Sequence, residues 1–226
     1  MTIIAIFLSL LAAGAAWYLA GQNLAAKPWL EQGVIGDLSD PDTRKAPAAR
    51  MGLILFLAVA GSLFALLASA YVMRAAGPDW LQAPMPRVLW INTGVLILSS
   101  LALQASVHAT RRGDTPRARK FLLAGAALAL AFLAGQLLAW RQFAAAGYFL
   151  STNPANSFFY LLTGLHGAHL AGGLAALGVT VVRKTQSGVE LCAFYWHFLL
   201  AVWLILFALL TGWASDIVVI CRGLVG

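Results

Sequence analysis

The run Phe121-Leu-Leu-Ala-Gly-Ala-Ala-Leu-Ala-Leu-Ala-Phe-Leu-Ala-Gly-Gln-Leu-Leu-Ala-Trp140 decides the fold. It carries no charge, and Gln136 is its one amide side chain. As an α-helix rising about 1.5 Å per residue, it is about 30 Å long, the thickness of a bilayer's hydrocarbon core. A helix on the surface of a soluble protein shows a polar face at a 3.6-residue period, and this run has none. Lys120 and Arg141 close it at either end. The segment is predicted to cross a membrane.

Five further apolar stretches lie outward from it: Thr2–Gly21, Met51–Met73, Val88–Ala109, Ser157–Val182 and Leu191–Trp213. Of the 226 residues, 61% are hydrophobic and 10% charged, whereas soluble domains carry about 25% charged residues. That excludes an ordinary soluble enzyme, and the apolar content excludes a disordered chain. The predicted fold is all-α, a polytopic transmembrane bundle of six spans. Thr2–Gly21 has no basic residue ahead of it, and its apolar core outruns the roughly 7–15 residues of a signal peptide. It reads as a retained first span. Proline stays outside the stretches, as at Pro41, Pro47, Pro116 and Pro154, where it removes no helix hydrogen bond.

Basic residues orient the chain. Lys27, Arg44, Lys45 and Arg50, then Arg111, Arg112, Arg117, Arg119 and Lys120, then Arg183 and Lys184 fall on one side. Arg74, Arg87, Arg141 and Arg222 fall on the other. Positive loops stay in the cytoplasm, so both termini are predicted outside. Residues 1–50 read as the first span plus a cytoplasmic linker, and 51–226 as a five-helix core. The net charge of +7 is explained by these loops, with no basic stripe on a folded face to suggest a nucleic-acid partner. Arg111, Arg112, Arg117, Arg119 and Lys120 form the densest patch. Two readings stand for it: a phospholipid headgroup site, at about 1 kcal/mol per basic residue near an anionic surface, or a topology signal alone.

Every Asp and Glu lies in a loop or at a span end. Pumps and ion-coupled transporters need buried ionisable groups, and only histidines are offered here. Cys192 and Cys221 make neither a disulfide framework nor a thiolate cluster. His166 and His169, three residues apart, share one helical face, and His169 and His197 come to similar depth if the last two stretches are neighbours. A haem or metal site using His166, His169 and His197 is one reading, since imidazole is a common ligand. Hydrogen bonding between helices is the simpler one, because no carboxylate is at hand to orient the rings. Gly164, Ala168, Gly172 and Ala176 recur every fourth position, as do small residues at Gly125 and Ala129, with Gly135 further along the same stretch. Such strips let helices approach closely, and Asn92, Gln104 and Gln136 add interhelical hydrogen-bonding capacity.

Ser157-Phe-Phe-Tyr-Leu-Leu-Thr-Gly-Leu-His-Gly-Ala-His169 with Gly172-Gly173, followed by Tyr195-Trp196-His197-Phe198 and Trp203, resembles the signature of subunit III of haem–copper terminal oxidases. Leu89-Trp90-Ile91-Asn92-Thr93, Gln136, and Phe56-Leu57-Ala58 with Phe64 and Tyr71 support it. The resemblance spans about residues 51–213. It implies a subunit with no catalytic residues, metal or haem of its own. Haem and copper are then expected in partner subunits I and II, with phospholipid bound here and the catalytic subunit stabilised during oxygen reduction. It also implies a bacterial-type cytoplasmic membrane. The electron donor stays open, cytochrome c or quinol, as does a nitric oxide reductase setting. Three carboxylates usual in the family are replaced, at Ala60, Ala139 and Leu200, so roles that need them are not carried over.

Overall fold

A computed structural model describes residues 41–81, 85–183 and 185–212, with side chains from 49 onward. The helices are α1 (Pro41–Arg74), α2 (Val88–Arg111), α3 (Thr115–Ala145), α4 (Pro154–Arg183) and α5 (Gln186–Leu210). All five are long and apolar enough to cross a membrane, α1 from Ala49 onward. Among the described residues there is no strand. The stretch Thr2–Gly21 and most of the 21–50 segment lie outside the described residues. The chain divides into two units after Lys45, and the helical bundle is built from the second, Ala46 onward.

The helices run past several of the expected ends, α1 the furthest. α1 begins ten residues ahead of Met51, so part of the predicted linker is helical. Pro41 opens it, where the missing N–H has no helical partner, while Pro47 sits inside it and offers no N–H to the Thr43 carbonyl. The turn between α2 and α3 shows why these two helices are close neighbours. Gly113 takes φ +76°, a backbone shape that a β-carbon disfavours. Asp114 then caps α3, its Oδ1 accepting from the Arg117 backbone N–H at 3.1 Å, with Pro116 in the first turn.

The helices alternate in direction, and contacts at each end record it. At one end Arg111 Nε donates to Glu190 Oε1 at 2.9 Å, joining the end of α2 to the start of α5. At the other, Tyr71 Oη donates to the Leu209 carbonyl, and Asn153 Nδ2 donates to the Leu81 carbonyl. Beside them Arg74 grips Asp79 through two hydrogen bonds. Those bonds hold the Asp79 carboxyl below the usual carboxylate range.

α2 is the hub. Along one face Asn92 Nδ2, Ser99 Oγ and Ser106 Oγ donate to the carbonyls of Phe132 (2.9 Å), Gly125 (2.8 Å) and Ala118 (3.0 Å). Donors step forward by seven residues and acceptors backward by seven. An antiparallel seam with a seven-residue repeat keeps two helices in register along their length. Gly125 and Gly135 make it close: a β-carbon at Gly125 would come within 3.0 Å of Leu103 Cγ, and one at Gly135 within 2.0 Å of Asn92 Oδ1. On its next face α2 receives α5, with Trp196 Nε1 donating to Ser99 Oγ and Trp203 Nε1 to Thr93 Oγ1, both at 3.0 Å. Both indoles are fully buried, again seven residues apart. α1 leans on this bundle through Phe56, Phe64 and Tyr71, and presents Leu55, Val59, Leu66 and Met73 outward. Exposed leucine and valine on such a helix suit lipid, not water.

Candidate functional site

The residues of the two signature motifs collect on the inner faces of α4 and α5. Gly173 sets their separation, since a β-carbon there would lie 2.6 Å from Tyr195 Cε1 and 2.9 Å from Trp196 Cζ3. The bare backbone lets the Tyr195 hydroxyl reach across and donate to the His169 carbonyl at 2.8 Å. Gly172, one residue earlier, meets nothing within 4 Å. It opens instead on a groove of about 560 Å³ between α1, α4 and α5. Leu53 and Phe56 form one wall; Ala168, Gly172 and Ala176 form another, with Leu191 opposite. His169, Thr180 and Tyr195 add a few polar atoms to a mainly apolar lining.

The predicted small-residue strip therefore divides. Gly164 packs inward, its absent β-carbon 3.4 Å from the Trp140 ring, while Ala168, Gly172 and Ala176 line the groove. The strip in α3 is internal packing against α2.

The three histidines do not converge. His169 Nδ1 donates to the Leu165 carbonyl of its own helix at 2.9 Å, and its ring lies against Phe56 and Phe64. His197 turns toward α2: its Nε2 donates to Gln104 Oε1 at 2.9 Å, so its Nδ1 accepts from the Ser100 hydroxyl at 2.6 Å. His166 is wholly buried among the rings of Phe64, Phe132 and Trp203. His169 and His197 were expected at similar depth as possible neighbours; the residue of α5 bonded to His169 is Tyr195, while His197 faces α2. Among the described residues no three His, Cys, Asp or Glu side chains gather.

The basic patch is also mixed. Arg111 is tied to Glu190, and Arg117 lies 3.3 Å from Asp114. Arg112, Arg119 and Lys120 are exposed and make no ion pair among the described residues. Asn92 and Gln104 stand out in the sequence as hydrogen-bonding groups, whereas the hydroxyls of Thr93, Ser99, Ser100 and Ser106 do not by residue type alone. Their signal was there, since Asn92, Ser99 and Ser106 repeat at seven within an apolar run.

With this geometry in place, the sequence profile of the family described as cytochrome c oxidase subunit III matches residues 43–215. The chain belongs to that family. It is 33% identical over 178 residues to "Cytochrome c oxidase subunit 3" of Synechocystis sp., covering 72% of this chain and 75% of the relative. It is 31% identical over 173 residues to the protein of the same name from Thermostichus vulcanus, covering 71% and 85%. "Probable cytochrome c oxidase subunit 3" of Mycobacterium bovis is 33% identical over 173 residues, at the same coverage. As a subunit III, the chain is a multi-pass membrane protein of the respiratory chain that works in a complex with other oxidase subunits. Two positions where a family carboxylate was expected are closed: Ala60 is 3% exposed and Ala139 not at all. A glutamate at either would be enclosed by the bundle, whereas Leu200 is only half-buried.

Proposed function

We propose that this subunit III carries no redox centre and acts as a lipid-holding support for the catalytic subunit of a cytochrome c oxidase. The observation that carries the reading is the groove beside Gly172. Its volume of about 560 Å³ leaves room for an acyl chain, its lining is mainly apolar, and a mainly apolar, concave lining is the usual form of a small-molecule site. Arg112, Arg119 and Lys120, exposed at the end of the bundle where α4 turns into α5, offer charge to an anionic headgroup. The histidine geometry favours structure over ligation, because His197 engages both ring nitrogens with α2.

The reading extends to six spans, with Thr2–Gly21 the first and both termini outside. The excess of Lys and Arg on the 21–50, α2–α3 and α4–α5 connections supports that orientation. Bacterial relatives support a cytoplasmic membrane, and their names support cytochrome c as donor; subunits I and II are the partners that the family resemblance implies. The test is native mass spectrometry of the assembled oxidase. Gly172→Leu with Ala176→Leu, filling the groove, should remove co-purified phospholipid and shorten the enzyme's active life. Unchanged lipid counts with an undiminished active life would end this reading, as would a stoichiometric haem band in the isolated chain.

A further inference from the structure

Four buried polar atoms in the middle of the bundle make no hydrogen bond: Nε2 and Oε1 of Gln136, and Nδ1 and Nε2 of His166. Gln136 is 4% exposed and His166 0%. Contacts one turn either side of Gln136 place it against the same stretch of α4 that carries His166. On α3, Phe132, Gln136 and Trp140 lie a turn apart on one face. Phe132 has its ring 5.9 Å from that of His166, and Trp140 Nε1 donates to Thr163 Oγ1 at 3.0 Å. Gln136 is bracketed between these levels, where α4 presents the turn from Thr163 to His166.

The polar donors nearby are already engaged. Thr163 already donates to the Phe159 carbonyl, Asn92 Nδ2 is taken by Phe132, and Trp203 Nε1 by Thr93. His166 itself is ringed by Phe64, Phe132 and Trp203, none of which offers its ring nitrogens a bond in the described structure. Orphaned polar groups in hydrocarbon are costly and are found bonded to protein or to ordered water. A partner subunit cannot reach side chains this deeply buried. An ion is disfavoured, since neither α3 between Lys120 and Arg141 nor α4 before Arg183 carries an acidic or basic residue other than histidine. What remains is a small neutral molecule that both donates and accepts. Gln136 supplies two N–H donors and an acceptor, and an uncharged imidazole supplies one of each, a set matched by water.

We propose that Gln136 and His166 form an internal water site that links α3 to α4 within the membrane. Two measurements on the assembled oxidase test it. In a map near 2 Å resolution, a density peak should lie within about 3.2 Å of a polar atom of each side chain. Thermal release of subunit III, followed for Gln136→Leu, His166→Phe and the double variant, should show each single change lowering the midpoint. The double should lower it no further than the worse single. A map with no peak, or with the two side chains bonded directly, overturns the proposal, as does additivity in the cycle. If the variants fail to assemble, the map alone decides.

Discussion

One hydroxyl, that of Ser99, lies 2.8 Å from the Gly125 carbonyl and 3.0 Å from Trp196 Nε1, so that a single side chain joins α2, α3 and α5. Both bonds sit where no water competes, and Ser99 is fully buried. Ser99→Ala strands the indole N–H of Trp196 as well as removing a bond to Gly125. The expected loss is about 1–3 kcal/mol for the unsatisfied donor. Thermal release of subunit III from the complex measures it. Ser106→Ala, which loses a bond only to Ala118, should cost less, near the 0.6 kcal/mol average of membrane hydrogen bonds.

The contrast between adjacent glycines gives a second prediction. Gly173→Ala brings a β-carbon to 2.6 Å from Tyr195 Cε1 and 2.9 Å from Trp196 Cζ3, distances that force α4 and α5 apart or turn both rings. Overpacking of this kind costs about 1–3 kcal/mol. The Tyr195 bond to the His169 carbonyl should be lost with it. Gly172→Ala meets open space and should leave assembly unchanged. Equal effects at the two positions in a detergent-stability assay would contradict this packing.

How much of this was readable from the residues is best seen around His197. Hydropathy and charge located the last four described spans to within a few residues at most ends, because crossing a bilayer needs an apolar run whatever its neighbours are. Depth along the axis was readable too, since Tyr195 and His169 do meet. Rotation about the axis was not. Residues 195 and 197 differ by about 200° around a helix of 3.6 residues per turn, so when Tyr195 faces α4, His197 must face elsewhere. Only the packing of α5 against α2 says where. The Asn92, Ser99 and Ser106 ladder was visible as a repeat of seven, yet its acceptors are backbone carbonyls, which no residue letter announces. The groove was invisible for a related reason: Gly164 and Gly172 look alike in a strip, and only the packing of neighbouring helices, with Trp140 of α3 over Gly164 and open space at Gly172, decides which is covered.

At the opposite end from the basic patch, the Arg74–Asp79 pair yields a pH prediction. Hydrogen bonding from Arg74 lowers the Asp79 pKa in the folded chain. A carboxylate lowered in this way adds stability above its unfolded value, and the contribution is lost as pH falls through the folded value. At neutral pH, Asp79→Asn should speed amide exchange at Gly77 and Trp80, in the turn that the pair holds. The gap from the unaltered protein should begin to close below about pH 4. A gap that persists under acid would assign the effect to shape, not charge. Both side chains are substantially exposed, so raised salt should also shrink it.

The last prediction separates the two readings of the histidines. His197 donates to Gln104 and accepts from Ser100, and Gln104 Nε2 in turn lies 3.3 Å from His108 Nε2, where its amide donates. If these bonds are what His197 is for, its loss and that of Gln104 must be coupled. His197→Phe and Gln104→Leu should each cost about 1 kcal/mol by removing one or two membrane hydrogen bonds. The double variant should cost clearly less than their sum, since the shared bond can be lost only once. The visible spectrum and metal content of the assembled oxidase should not change in any of the three, because no step of oxygen reduction is assigned to this ring. A ligand histidine behaves in the opposite way: His197→Phe alone would bleach or shift a band, Gln104→Leu would do little, and the cycle would show additive stabilities.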